Sequence, residues 1–176
     1  MEVLRDRSSY REFSSDTLPA QSLSNMLWAA WGINRPESGK RTAPSANNRQ
    51  EIDIYVFTMD GVYHYDAAGN ALIPVLSGDF RALTGTQEWV KDAPVNLVYI
   101  SDFSRMGNGD ENKKLITSSM NTGFIAENVY LYCASEGLAV VVRGSIDKPA
   151  LEVALKLRPE QKIILAQTIG YPKKSN

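Results

Sequence analysis

The sequence predicts an α+β fold of three layers, with a mixed central sheet flanked by helices. Two observations carry this. Apolar positions switch between helical spacing and strand alternation along the chain. The resulting order is helix, strands, short helices, strand, long helix, strand, helix, strand, which combines hairpins with helix-linked strands. With 176 residues, 43% of them hydrophobic and 22% charged, the chain suits a single globular domain over 1–176.

The elements follow in order. "PAQSLSNMLWAAW" places Leu23, Met26, Leu27, Ala30 and Trp31 at helical spacing, with Pro19 early and Gly32 as a stop. "EIDIYVF" alternates Ile52, Ile54 and Val56 against Asp53, Tyr55 and Phe57, as a strand does. Asp60-Gly61 marks a tight turn into "VYHYD", and a turn at "DAAGN" precedes "ALIPVL". Residues 79–92 read as one or two short helices with Trp89 and Val90 turned inward. "PVNLVYIS" is a near-continuous apolar run, hence a buried central strand. The polar loop "SRMGNGDEN" leads to the longest helix, "KKLITSSMNTGFIAENVYLYCASEGL", with Gly137 as its C-terminal stop. "LAVVVRG" is a strand, "KPALEVALKL" a short helix and "KIILAQTIG" the last strand. On the long helix Ser119, Gly123 and Ala126 form a stripe of small residues. That stripe permits close approach of either a second helix or the chain's own sheet.

Several chemistries are excluded. A formal net charge of −1 provides no basic field for nucleic acid. No run approaches the roughly 18 apolar residues of a membrane span. The single cysteine, Cys133, rules out an intramolecular disulfide and a four-cysteine metal site. It lies among apolar residues and reads as an inert buried thiol. Zinc hydrolysis or a Ser-His-Asp mechanism would have to pass through the single histidine, His64, which reads as an exposed strand residue. Trp28, Trp31 and Trp89 read as core. No signal peptide is visible, which points to the cytoplasm. The abrupt charged start leaves open an exported protein whose leader has been removed.

Three polar segments remain. "RDRSSYREF" holds Arg5, Arg7 and Arg11 with Ser8 and Ser9; "KRTAPSANNRQ" is a polar loop before a core strand; "GYPKKSN" ends a buried strand with Lys173 and Lys174. Together they suit a phosphorylated ligand, because a phosphate monoester takes several fixed donors and a ring system beyond it takes amides and backbone N–H groups.

These residues resemble the FMN-dependent nitroreductase family. Arg7, Ser8, Ser9, Tyr10, Arg11, Glu12 and Phe13 look like its N-terminal signature, and Pro44, Ser45, Asn48 and Gln50 like its Pro-Ser loop. Gly123, Asn128, Leu131, Gly137 and Leu138 match its helix, and "TIGYPKK" its closing segment. The hairpin "DGVYHYDAAGNAL" is closer to the branch of SagB-type azoline dehydrogenases. The resemblance implies a nitroreductase-like homodimer that joins through the long helix and holds FMN at the subunit interface. Arg7, Ser8, Ser9 and Arg11 would bind phosphate and ribityl, completed by Lys173 and Lys174. Pro44, Ser45, Ala46 and Asn48 would line the ring of the partner's flavin, with the Arg143–Gly144 backbone nearby. The small-residue stripe then becomes a dimer contact.

The sequence departs from the family where Arg143 stands in place of a common Glu, and in having no long arm after Lys174. The resemblance implies an NADH- or NADPH-dependent oxidoreductase acting by ping-pong on a small-molecule acceptor of the quinone or nitroaromatic type. Arg41 or Arg143 would provide a cation near the reduced ring, and the chemistry would lie on FMN rather than on a catalytic side chain. The alternatives are an FMN dehydrogenase of peptide azolines and a non-catalytic flavin-binding or ligand-binding dimer.

Overall fold

The computed structural model describes residues 1–173. The chain opens with helices α1 (Glu2–Asp6) and α2 (Ala20–Trp31) and a small ribbon of β1 (Ile33–Arg35) and β2 (Lys40–Arg41). There follow β3 (Ile52–Phe57), β4 (Gly61–Asp66), β5 (Ala71–Ser77), β6 (Val95–Asp102), α3 (Glu111–Ser135), β7 (Ala139–Arg143), α4 (Lys148–Ala154) and β8 (Gln161–Gly170). The last six strands form one sheet in the order β5-β4-β3-β6-β8-β7.

Where the sequence predicts a mixed sheet, every pairing among the described strands is antiparallel. The reason lies in β8. Strands β6 and β7 both run antiparallel to β8, so they are parallel to each other and linked through α3. The last strand inserts between them and splits the unit. Chain order reveals the helical crossover but not the strand that later separates its ends.

Helices α2 and α3 cover one face. Met26, Leu27 and Trp31 pack with Ile125, Val129 and Cys133 over Ile52, Ile54, Val56, Leu97 and Ile169. Polar bonds index this packing: Trp31 Nε1 donates to Ile52 O at 2.8 Å, Asn128 Nδ2 to Ala29 O at 3.1 Å and Tyr132 OH to Ser22 O at 3.2 Å. Inside the sheet Tyr99 donates to Gln167, whose amide donates to Ala126 O at 3.0 Å. Ala126 therefore faces the sheet, whereas Ser119 and Gly123 face outward. The predicted stripe is divided between the two sides of the helix.

On the opposite face Phe57, Val62, Val98, Ile100 and Ile163 pack against Leu151 and Leu155, with Phe80 and Leu83 closing over them. Phe57 is thus fully buried rather than turned outward, because this face also has a covering layer. Each such side chain contributes about 1.5–3 kcal/mol through burial. Residues 79–92 form 3-10 turns at Arg81–Thr84 and Glu88–Lys91. Val90 is buried, and Trp89 is half-buried against the Phe13 ring at 5.5 Å. Trp28 is a correction to the core prediction: it is 44% exposed on the outer side of α2.

Helix α3 ends as expected, with Gly137 in the left-handed region (φ 66°) and Leu138 N donating to Cys133 O at 2.8 Å. Helix α1 and the β1–β2 ribbon are not foreseen by the sequence. No helix among the described residues is long and apolar enough to cross a membrane.

Candidate functional site

The N-terminal signature lies along the sheet edge and the closing segment. Tyr10 N donates to Val140 O of edge strand β7 at 3.0 Å, and Ser14 N to Tyr171 O at 2.9 Å. Phe13 bridges Pro172, and Lys173 N donates to Glu12 O at 3.4 Å. Residues from the two ends of the chain therefore meet, bringing Arg7, Ser8, Ser9 and Arg11 to the same margin as Lys173. Lys174 lies outside the described residues.

Tyr130 of α3 anchors this margin. Its hydroxyl accepts from Val142 N at 2.9 Å and pairs with Ser9 Oγ at 2.9 Å, while the Arg7 guanidinium lies 5.2 Å from its ring centroid. Ser8 and Arg11 are exposed. Among the described residues Arg7, Arg11 and Lys173 form no ion pair, so their charges are available to an anion. Nothing in the sequence marks Tyr130, which reads as one more aromatic residue of an apolar helix.

The Pro-Ser loop is built from its own polar groups. Gln50 N donates to Ser45 Oγ at 3.0 Å, and Gln50 Nε2 to Gly39 O at 2.9 Å and Asn48 Oδ1 at 3.1 Å. Asn47, Asn48 and Gln50 all have positive φ, at 55°, 53° and 49°. Asn tolerates this region better than most residues, and non-glycine residues held there cost about 1–2 kcal/mol each. The polar composition thus sustains a strained shape as well as offering donors outward. Arg41 braces the loop from below, its Nε donating to Gln50 Oε1 at 2.7 Å and its NH1 to Trp31 O at 2.8 Å. Its guanidinium stacks 4.7 Å from the Trp31 ring, and burial lowers its pKa.

Pro44, Ser45 and Ala46 face α3 across a shallow cleft of about 600 Å³ whose other wall is Thr117, Met120, Asn121, Gly123 and Phe124. Asn121 Oδ1 accepts from Ala46 N at 3.3 Å. Beside the cleft the outer face of α3 exposes Leu115 (42%), Ile116 (59%), Met120 (56%) and Phe124 (51%). A side chain at Gly123 would meet nothing within 4 Å, so packing within this chain does not require a glycine there.

The Arg143 side chain does not face the margin. It is 5% exposed, with Nε donating to Thr168 Oγ1 at 2.9 Å, NH1 to Thr84 O at 2.6 Å and NH2 to Asn96 Oδ1 at 3.0 Å. Burial lowers its pKa to about 10. Of the two cations suggested by the sequence, Arg143 is thus committed to the interior and Arg41 to the base of the loop. The Arg143–Gly144 backbone follows Val142, whose N–H is bound to Tyr130. Cys133 is fully buried, and burial raises its pKa to about 12, as suits an inert thiol. His64 is a strand residue on β4 as expected, but half-buried rather than exposed, because it packs against its cross-strand partner Tyr55 with Nε2 3.5 Å from Asp53 Oδ1.

Comparison with known proteins gives a consistent result. The profile of the Nitroreductase family matches residues 4–171. A Methanocaldococcus jannaschii protein named as a nitroreductase is 31% identical over 169 residues, or 89% of this chain and 84% of that protein. A crystal structure from Ralstonia eutropha, also described as a nitroreductase, has a TM-score of 0.93 and 40% identity, covering 99% of this chain and 83% of that one. Two more distant structures share the fold. One is a Desulfovibrio desulfuricans nitroreductase in complex with FMN, with TM-score 0.70, 22% identity, and 98% and 85% coverage. The other is the Escherichia coli microcin synthetase complex with bound precursor, with TM-score 0.84, 20% identity, and 96% and 70% coverage. The chain belongs to the nitroreductase family and is an FMN-dependent oxidoreductase.

Proposed function

We propose that two copies of the chain hold FMN between them. Arg7, Ser8, Ser9, Arg11 and Lys173 of one subunit would bind phosphate and ribityl, with Lys174 adjoining in sequence. Pro44, Ser45, Ala46 and Asn48 of the other would wall the ring. The observation that carries this reading is the convergence of Arg7, Arg11 and Lys173 at one margin with no carboxylate partner among the described residues. Such a cluster suits a phosphate monoester. The apolar cleft under the Pro-Ser loop suits a planar ring, so the residues present fit FMN at both ends.

When bound, FMN would supply hydride chemistry at N5, with NADH or NADPH as the proposed donor and a quinone or nitroaromatic compound as the proposed acceptor in a ping-pong cycle. The protein's part is to bind, orient and exclude water. The Arg143–Gly144 backbone would lie near the ring, and Arg41 stabilises the loop that carries the wall. Ser45 and Asn48 act through loop shape, since both side chains are engaged by Gln50.

The test is the visible absorbance of the purified protein before and after anaerobic NADH or NADPH. Flavin bands that bleach support the reading. Bands that persist with both donors point instead to oxidation of a substrate such as a peptide azoline. In a folded Arg7→Ala/Arg11→Ala variant, each lost charge-assisted contact removes about 1.5–3 kcal/mol, so FMN affinity should fall by about a hundredfold or more. Unchanged affinity would remove the phosphate assignment.

A further inference from the structure

Behind the Pro-Ser loop lies a buried carboxylate for which the flavin-binding residues give no reason. Glu51 is fully buried between the loop and β3, and its Oε2 has no hydrogen-bond partner among the described residues. Its Oε1 accepts from Asn121 Nδ2 at 2.6 Å. Asn121 is itself 4% exposed, and its Oδ1 accepts from Ala46 N at 3.3 Å. The Glu51 backbone is also pinned: its carbonyl accepts from Arg105 NH2 at 3.0 Å and from Asp102 N at 2.8 Å.

An amide has one accepting end and one donating end. The backbone N–H of Ala46 can only donate, and Glu51 Oε1 is held as an acceptor. Between them the Asn121 amide has one orientation that satisfies both neighbours. A buried carboxylate with a free oxygen is unfavourable for stability, since an unsatisfied buried polar atom is costly. Keeping it makes sense where it performs a task.

We infer that Glu51 and Asn121 are positioning residues that act in series, Glu51 orienting the Asn121 amide and Asn121 holding the Ala46 backbone, so that the strained Pro44–Asn48 wall has one conformation. Glu51 lies behind the loop, and Asn121, although it lines the cleft, acts here through the Ala46 backbone. The inference rests on the proposal that this loop walls the flavin ring.

The experiment compares wild type, Glu51→Gln, Asn121→Ala and the double variant by three measurements. These are hydrogen exchange of the loop amides without FMN, FMN dissociation constant and thermal midpoint. In Glu51→Gln the new amide can donate as well as accept, so Asn121 can turn over and release Ala46. Loop exchange and the FMN dissociation constant should both rise by roughly two- to tenfold, the value of one hydrogen bond, while the thermal midpoint holds or increases. Asn121→Ala should give at least as large a rise in both and a lower midpoint, because Glu51 Oε1 then also lacks a partner. The double variant should recover part of the midpoint and none of the loop order or affinity.

Loop order and affinity that recover together with the midpoint would reduce the pair to ordinary packing and overturn the inference. So would wild-type exchange and affinity in Glu51→Gln, or additive effects in the double variant. Wild-type protein that takes up no FMN would refute the proposed function instead. The exchange comparison, which needs no flavin, would still decide the relay.

Discussion

Arg143 is a guanidinium in the interior with neutral acceptors and no carboxylate paired with it among the described residues. Thr84, Asn96 and Thr168 meet its planar fork from different directions, an arrangement that a lysine ammonium cannot reproduce. Arg143→Lys should therefore lower the thermal midpoint. Each acceptor left unpaired costs about 1–3 kcal/mol, and a midpoint within error of wild type would show that the fork is dispensable. The sequence places Arg143 at the end of a strand and identifies it as a departure from the family. It cannot reveal that Thr84 and Asn96 arch over the same side, because those contacts join residues 47 and 59 positions apart. Cys133 and His64 were legible for the opposite reason: an apolar helix interior and a hairpin strand are local patterns. Glu51 and Tyr130 left no local mark. Their roles come from partners 70 and 121 residues away.

At the scale of elements, strands were legible from alternation or, in β6, from an unbroken apolar run, but alternation does not tell whether a strand's second face is covered. The β3 alternation puts Phe57 on the outer side only until the α4 layer is added. The Pro-Ser loop shows how separate elements combine. Arg105, in the turn after β6, donates to Gln50 O at 3.1 Å and Glu51 O at 3.0 Å, and so holds the base of the loop. That turn is organised by Asp102, whose Oδ1 accepts from Ser104 N at 3.0 Å and Ser104 Oγ at 2.6 Å, while Arg158 pairs with Oδ2. Burial pushes the Asp102 carboxyl upward, but the Ser104 bonds and the charges of Arg105 and Arg158 outweigh it, so its pKa lies below the ordinary 3.8. An acid with a depressed folded pKa stabilises the fold fully above its ordinary value and loses that contribution as pH falls through the folded one. Asp102→Asn should thus lower stability at neutral pH by about 1–2 kcal/mol and flatten the decline of the midpoint on the acid side. An acid limb as steep as that of wild type would mean that Asp102 does not anchor the turn.

At the scale of the whole molecule, the proposed site falls into two parts of one chain. Tyr130 marks the cationic margin and Asn121 the loop wall, nine residues apart on α3, so about 14 Å lie between them along the helix axis. Leu115, Ile116, Met120 and Phe124 form an outward apolar stripe beside the loop wall, although the opposite side of α3 is already filled by the core. A helix apolar on both sides at the surface suits the proposed second subunit. A two-fold axis near Gly123, where nothing within the chain opposes close approach, would bring each cationic margin toward the other subunit's loop. Leu115→Glu/Ile116→Glu puts two carboxylates into that seam at exposed positions outside the cleft proposed for the ring. The variant should keep its far-ultraviolet dichroism, sediment as a monomer and lose bound FMN, with both losses occurring together. Retention of FMN by a monomeric variant would mean that each subunit completes its own site. A dimer that persists with flavin bound would move the interface away from this face of α3.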